Sequence, residues 1–338
     1  MADKQRIVWA DTMKGLSAIM VMLYHASYQP EVKSIACILS LPAFFFVSGT
    51  FTQTEMSPLS FFRRKSLRLL IPYVVFGMLS WLLWLAIRSV HGDEASETGW
   101  WIPLCGIVCG KVELLVQNRP LWFLCCMISL EWLYYALYRV PYRIVRWGGG
   151  VLVAAMGCLL SYYGKAGVWE ITAAMLVLPI YMIGAEYGTL FRERMSRCTF
   201  PLLVSILALS TTGITIGYHY NPQFHISTCV IGNPLLFYLT AISVVGFWLS
   251  IATLIDKSIG TIHCLQYFGQ NTLIVLCTHI PLFSMIKGIA MICHVPMAFF
   301  TTNIGSLTLC AISLCLLFPI SYGINRYLPF LIGKRPTP

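Results

Sequence analysis

Apolar residues along this chain fall in long unbroken blocks rather than in alternation, and the blocks are cut by charged clusters or by Pro and Gly. Blocks of about twenty residues match a bilayer core roughly 30 Å thick at about 1.5 Å per helical residue. They predict helices near 10–28, 36–54, 69–90, 121–138, 149–164, 170–190, 199–218, 233–254, 272–293 and 299–320. The expected fold is all-α, a polytopic membrane protein with about ten transmembrane helices. These fill one integral-membrane domain over residues 1–338, with no internal repeat or low-complexity segment evident.

The first block breaks the pattern. It carries Asp11, Lys14 and His25 among residues that otherwise read as a membrane helix. An ionisable side chain in hydrocarbon is costly, so such a position is a functional hypothesis by default. Lys14 and His25 are eleven residues apart. That is about three helical turns, which puts them on one side of the helix roughly 16 Å apart along its axis. Asp11 lies toward the same side, another turn down. A polar stripe of this kind must face other helices or a wet cavity.

Composition agrees with the pattern: 58% hydrophobic and 11% charged residues, with a mean hydropathy of +0.75. A net charge of +10 raises the question of nucleic acid. The distribution of the charge answers it. With the N-terminus in the cytoplasm, the basic clusters at 63–68, 139–146, 192–197 and 326–335 all fall inside, and only Lys33, Arg88, Lys111, Arg119, Lys165 and Lys287 fall outside. The positive-inside rule therefore predicts cytoplasmic N- and C-termini, an even number of spans and no nucleic-acid partner. The first block lacks a small-residue cleavage site, so it is expected to stay as a helix rather than leave as a signal peptide.

Residues 91–119 form the longest outer connection. An acidic run ends at Glu97, and the apolar stretch that starts at Trp100-Trp101 is short and broken by Pro103, Gly106 and Gly110. It reads as an interfacial or re-entrant segment within an outer loop. A second outer connection, Tyr218 to Thr228, is aromatic and hydrogen-bonding with no Lys or Arg, a surface that suits sugar hydroxyls or an aromatic belt. The thirteen cysteines lie mostly inside apolar blocks. Cys105 with Cys109 and the adjacent Cys125 and Cys126 read as small core residues, with no disulfide and no metal expected.

Several polar groups inside or beside the blocks can carry chemistry. His25, in the outer half of its helix, is placed to act as a general base on a hydroxyl or as an acyl-carrying nucleophile, or to be a hydrogen-bonded bundle histidine. Lys14 either snorkels to head groups or lines the same path as His25. Arg63, Arg64, Lys65 and Arg68 sit at the inner end of the third block. They form a topology anchor or a fork for phosphates. Glu131, Glu186 and His279 need partners in the membrane; Glu131 with Lys14 is one conceivable pair, and His279 with a substrate hydroxyl another. Asp11 either belongs to the stripe or caps the helix N-terminus. Ser48-Gly49, after Pro42-Ala-Phe-Phe-Phe, reads as a kink or close-packing site.

At these residues the chain resembles integral-membrane acyltransferase family 3, and within it the branch of fucose 4-O-acetylase-like and related polysaccharide O-acetyltransferases. The resemblance spans nearly the whole length. It is carried by Lys14 to His25, where much of the family has Arg in place of Lys14, by Pro42-Ala-Phe-Phe-Phe-Val-Ser-Gly49, and by Arg63-Arg64-Lys65-Ser-Leu-Arg68 with Pro72-Tyr73. Leu121-Trp122-Phe123-Leu124 with Glu131, and Phe268-Gly269-Gln-Asn271-Thr-Leu with His279-Ile-Pro281, complete it.

The resemblance implies an acetyl-CoA-dependent O-acyltransferase in the cytoplasmic membrane, acting on an extracytoplasmic glycan or a lipid-linked saccharide. In that reading Lys14, Arg63, Arg64, Lys65 and Arg68 bind the donor and His25 is the base or acyl carrier. Asp11, Glu131 and His279 are the candidates to orient it. The acceptor sugar, its acylated position, acetyl against succinyl and the oligomeric state are not set by these residues. A transporter or flippase for a glycan intermediate, or a subunit that scaffolds a polysaccharide machine, is the alternative class.

Overall fold

The computed structural model describes residues 7–87 and 98–334. Lys4, Arg6, Arg88, the acidic run 91–97 and Arg335 lie outside the described residues. In chain order the helices are α1 Val8–Ala26, α2 Pro30–Thr50, α3 Pro58–Phe61, α4 Leu67–Ile87, α5 Ile102–Cys109, α6 Trp122–Tyr138, α7 Arg143–Tyr162, α8 Ile171–Arg194, α9 Phe200–Tyr220, α10 Pro234–Ser258, α11 His263–Gln270, α12 Thr272–Ile292 and α13 Asn303–Tyr327. No strand occurs among the described residues.

Nine of the described helical segments are long and apolar enough to cross a membrane. This is an all-α polytopic membrane protein. Helix α1 is not among the nine, although its 19 residues would extend about 28 Å; its polar side chains set it apart, not its length. The stretch after the tryptophans forms α5, whose eight residues cover only about 12 Å.

Two helix starts fall earlier than hydropathy predicts, for local reasons. Pro30 opens α2 at its first position, where its missing N–H is one of the unpaired donors anyway and its fixed φ suits the helix. Helix α7 begins at Arg143, and the Arg146 guanidinium lies over the Tyr138 ring at 5.0 Å. This cation–π contact holds the helix entry. Interior prolines at Pro42, Pro72, Pro179, Pro281 and Pro319 are tolerated because neighbouring groups in a bundle re-satisfy the freed carbonyls.

The described chain divides into two units. The first runs to Thr52 and adds Pro179–His225 and Ile231–Thr272; the second comprises Gln53–Leu178, Ile226–Val230 and the chain from Leu273 onward. Within the first, α1 packs on α2, α10 and α11, and α9 pairs with α10. Without a hydrophobic drive between helices in lipid, small residues let backbones approach. Gly213 and Gly217 of α9 seat against Ser243 and Thr240 of α10. Gly49 of α2 lies on the Tyr181 backbone, and Gly184 of α8 lies reciprocally on the Phe46 carbonyl.

A Cβ at Gly184 would overlap that carbonyl, whereas one at Gly288 meets nothing within 4 Å. Gly184→Ala is therefore expected to destabilise by about 1–3 kcal/mol through overpacking. Gly288→Ala should be neutral or stabilising through helix propensity. Thermal unfolding in detergent micelles distinguishes the pair.

In the second unit the entry to α4 is unusual. Pro58–Phe61 makes one α turn, and Phe62–Ser66 then widens into a π turn before α4 proper. Phe61, 1% exposed, anchors the turn by stacking on Trp132 at 5.1 Å and Tyr135 at 4.3 Å. Trp132 also donates its indole N–H to Ser66 at 2.9 Å.

Candidate active site

Within the first unit, the stripe on α1 has its own pairing. Lys14 Nζ meets Asp11 Oδ1 at 2.7 Å one turn away, and Gln270 of α11 donates to Asp11 Oδ2 at 3.2 Å. The contact depends on two glycines: Gly15 faces the Leu265 carbonyl and Gly269 faces the Asp11 carbonyl, with no room at either for a Cβ. Lys14 and Asp11 keep 24% and 14% of their side-chain surface exposed. The pair thus sits at a partly open position rather than in sealed core. Asp11 is the fourth residue of α1, and Ile7 is the residue preceding the first turn. The N-cap alternative for Asp11 is therefore excluded.

His25 is the penultimate residue of α1, half-buried and edge-on to the Tyr24 ring at 4.8 Å. At this helix end the last carbonyls concentrate negative partial charge. Lys33 Nζ lies 5.4 Å from the centre of the Tyr24 ring. In the same unit His225 Nδ1 stands 3.6 Å from Cys37 Sγ, and Cys37 donates its S–H to the Phe224 carbonyl at 3.2 Å.

Burial first, and the Lys33 cation second, lower the pKa of His225 from its ordinary 6.5. The folded state disfavours the imidazolium, so this histidine's contribution to stability is complete above about pH 6.5 and declines as pH falls through its folded pKa. Lys33→Met is expected to move the His225 titration, read by NMR, back toward its ordinary value.

In the second unit Arg68 lies in the first turn of α4, and Arg63, Arg64 and Lys65 occupy the π turn. Such turns are often found at functional sites. Lys65 Nζ pairs with Glu131 Oε1 at 3.3 Å, and Glu131 keeps only 8% of its side-chain surface exposed. Glu131 thus pairs with Lys65, in place of the Lys14 partner expected from sequence, while Lys14 pairs with Asp11. Arg63, Arg64 and Arg68 are exposed and make no hydrogen bond or ion pair among the described residues. Arg68 is braced from behind by Gly333, whose φ of 64° is left-handed and which leaves no room for a side chain against the Arg68 backbone.

His279 is fully buried in α12. Its Nδ1 lies 2.8 Å from the Val275 carbonyl, so the neutral ring carries its hydrogen there and Nε2 is the acceptor. Asn118, also fully buried, donates to Ser80 Oγ at 3.0 Å and to the Cys277 carbonyl at 2.8 Å. Sequence reasoning missed Asn118, Gln117, Glu170, His225 and Lys33. The first two looked like polar loop residues before a Pro, and nothing in the sequence marks their burial.

Nine helical segments among the described residues able to cross a membrane, together with a family match over most of the chain, make this a membrane acyltransferase. The family profile described as "Acyltransferase domain", Acyl_transf_3, matches residues 7–326, and the chain belongs to this family. No curated protein and no solved structure matches it.

Proposed function

We propose that the protein moves an acetyl group from cytoplasmic acetyl-CoA to a hydroxyl of an extracytoplasmic glycan or its lipid-linked precursor. It would work in the cytoplasmic membrane with both termini inside. The observation that carries this reading is α1 itself. One unbroken helix holds a lysine–carboxylate pair in its first two turns and a histidine in its last, about 16 Å from Lys14 at 1.5 Å per residue. Such a helix can join a donor side to a transfer point.

In this reading Arg63, Arg64 and Arg68 offer bidentate donors to the donor's phosphates. Lys65 adds a cation that Glu131 holds in place, and Lys14, steadied by Asp11, neutralises the incoming donor. Glu131 and Asp11 are positioning residues. His25 takes the proton of the acceptor hydroxyl as its oxygen bonds to the thioester carbonyl carbon. The carbon–sulfur bond then breaks, and the thiolate leaves with the proton returned by His25. His279 presents an acceptor nitrogen to a substrate hydroxyl.

The test is release of free CoA thiol from acetyl-CoA by membranes holding the protein and acceptor. A flippase for a glycan intermediate releases none.

A further inference from the structure

We propose that the turn Lys111–Asn118 of the second unit, buried at Val112, Leu115, Gln117 and Asn118, binds a secondary amide of the acyl donor's arm, with Gln117 and Asn118 as the groups that read it; this rests on the acyl-CoA reading above. Gln117 is 5% exposed and Asn118 0%. Asn118 spends both amide hydrogens on Ser80 and Cys277. Its Oδ1, and both Oε1 and Nε2 of Gln117, have no hydrogen-bond partner among the described residues. Buried carboxamides are almost always paired, and in a membrane bundle no bulk water relieves them. Three unmatched atoms on adjacent residues call for a ligand that both donates and accepts, which is what a –CO–NH– group does.

The turn is held as a binding element would be. Val112 N–H donates to Glu170 Oε1 at 2.8 Å at one end, and Asn118 is fixed by α4 and α12 at the other. The segment that grips it pays in strain: Trp169 and Glu170 both adopt left-handed backbone, at φ 55° and 52°. Bulky residues avoid that region unless their surroundings impose it. The Trp169 carbonyl accepts from Ser129 Oγ at 2.7 Å, which helps impose it.

Placement on the helices selects the donor as the ligand. The two helices that carry the cationic turn and its partner, α4 and α6, also lead to the amide site. Ser80 stands 15 residues beyond Lys65, and Asn118 stands 13 before Glu131. Both separations are about 20 Å of helix. A pantetheine arm has the length of a little over four extended residues, about 15 Å, and long Lys and Arg side chains cover the difference. A ligand with phosphates at one end and amides along its arm fits this spacing.

The experiment measures binding of CoA and of adenosine 3′,5′-bisphosphate, which lacks the arm, to the full chain in nanodiscs. Gln117→Met keeps the shape and removes the hydrogen bonds. The Gln117 side chain has no hydrogen-bond partner among the described residues to lose, so this variant should fold. Expected is a roughly three- to tenfold weaker CoA affinity, with adenosine bisphosphate affinity unchanged.

Wild-type protein should in addition accept S-acetylpantetheine better than ethyl thioacetate, which has no amide. Wild-type CoA binding with an unaltered variant, or a variant defect confined to the KM of the acceptor, overturns the assignment alone. A wild-type protein that binds no CoA overturns the donor reading and this one together.

Discussion

His25→Ala should lower acyl transfer by about 10²–10⁴-fold, the range a positioned general base supplies, while the protein still inserts and folds. The reasons are local. His25 is half-buried at the penultimate position of α1, so truncation there opens no sealed cavity and breaks no interior turn. Donor affinity should hold, because the cations proposed for the phosphates belong to other residues; the loss should appear in kcat, not in KM for acetyl-CoA. Turnover that survives the substitution would refute the assignment of His25. Labelled donor offered without acceptor then separates the two roles open to the imidazole. Label retained by the protein and lost in His25→Ala identifies an acyl carrier, and its absence a base.

The spans were readable because hydropathy alone places a helix in hydrocarbon. The elements around the polar groups were not, and each for its own reason. Helix α11 is eight residues long, too short for a bilayer pattern to report, yet it supplies Gln270 and Gly269 to Asp11. The π turn has no compositional sign, since one extra residue in a turn leaves Phe62-Arg63-Arg64-Lys65-Ser66 looking like any helix start.

Pairing was the hardest to read. Glu131 needed a cation, and the sequence offered Lys14 as one conceivable partner; the structure pairs it with Lys65, 66 residues away along the chain, a separation at which sequence carries no sign of contact. Of the pair Ser48-Gly49 that read as a kink or close-packing site, Gly49 does lie on a neighbouring backbone, that of Tyr181. The buried amides of Gln117 and Asn118 could not be told from loop residues, because the groups that hold this turn, Ser80, Glu170 and Cys277, come from distant parts of the chain.

Lys65→Met is expected to be among the most destabilising single substitutions in the second unit, at about 3–5 kcal/mol, because it leaves the Glu131 carboxylate buried without its counter-charge. The reverse substitution should cost less. Lys65 keeps 22% of its side-chain surface exposed, and its long stem can carry the ammonium toward water once Glu131→Leu removes the partner. The double variant Lys65→Met/Glu131→Leu should recover most of the loss, since an apolar pair of similar volume often replaces a buried ion pair at little cost. That recovery separates folding from function. If Lys65 also serves donor phosphates, the double variant folds but binds CoA more weakly, with Arg63, Arg64 and Arg68 still contributing. Full CoA affinity in a folded double variant would confine Lys65 to holding the π turn, and leave phosphate binding to the three exposed arginines.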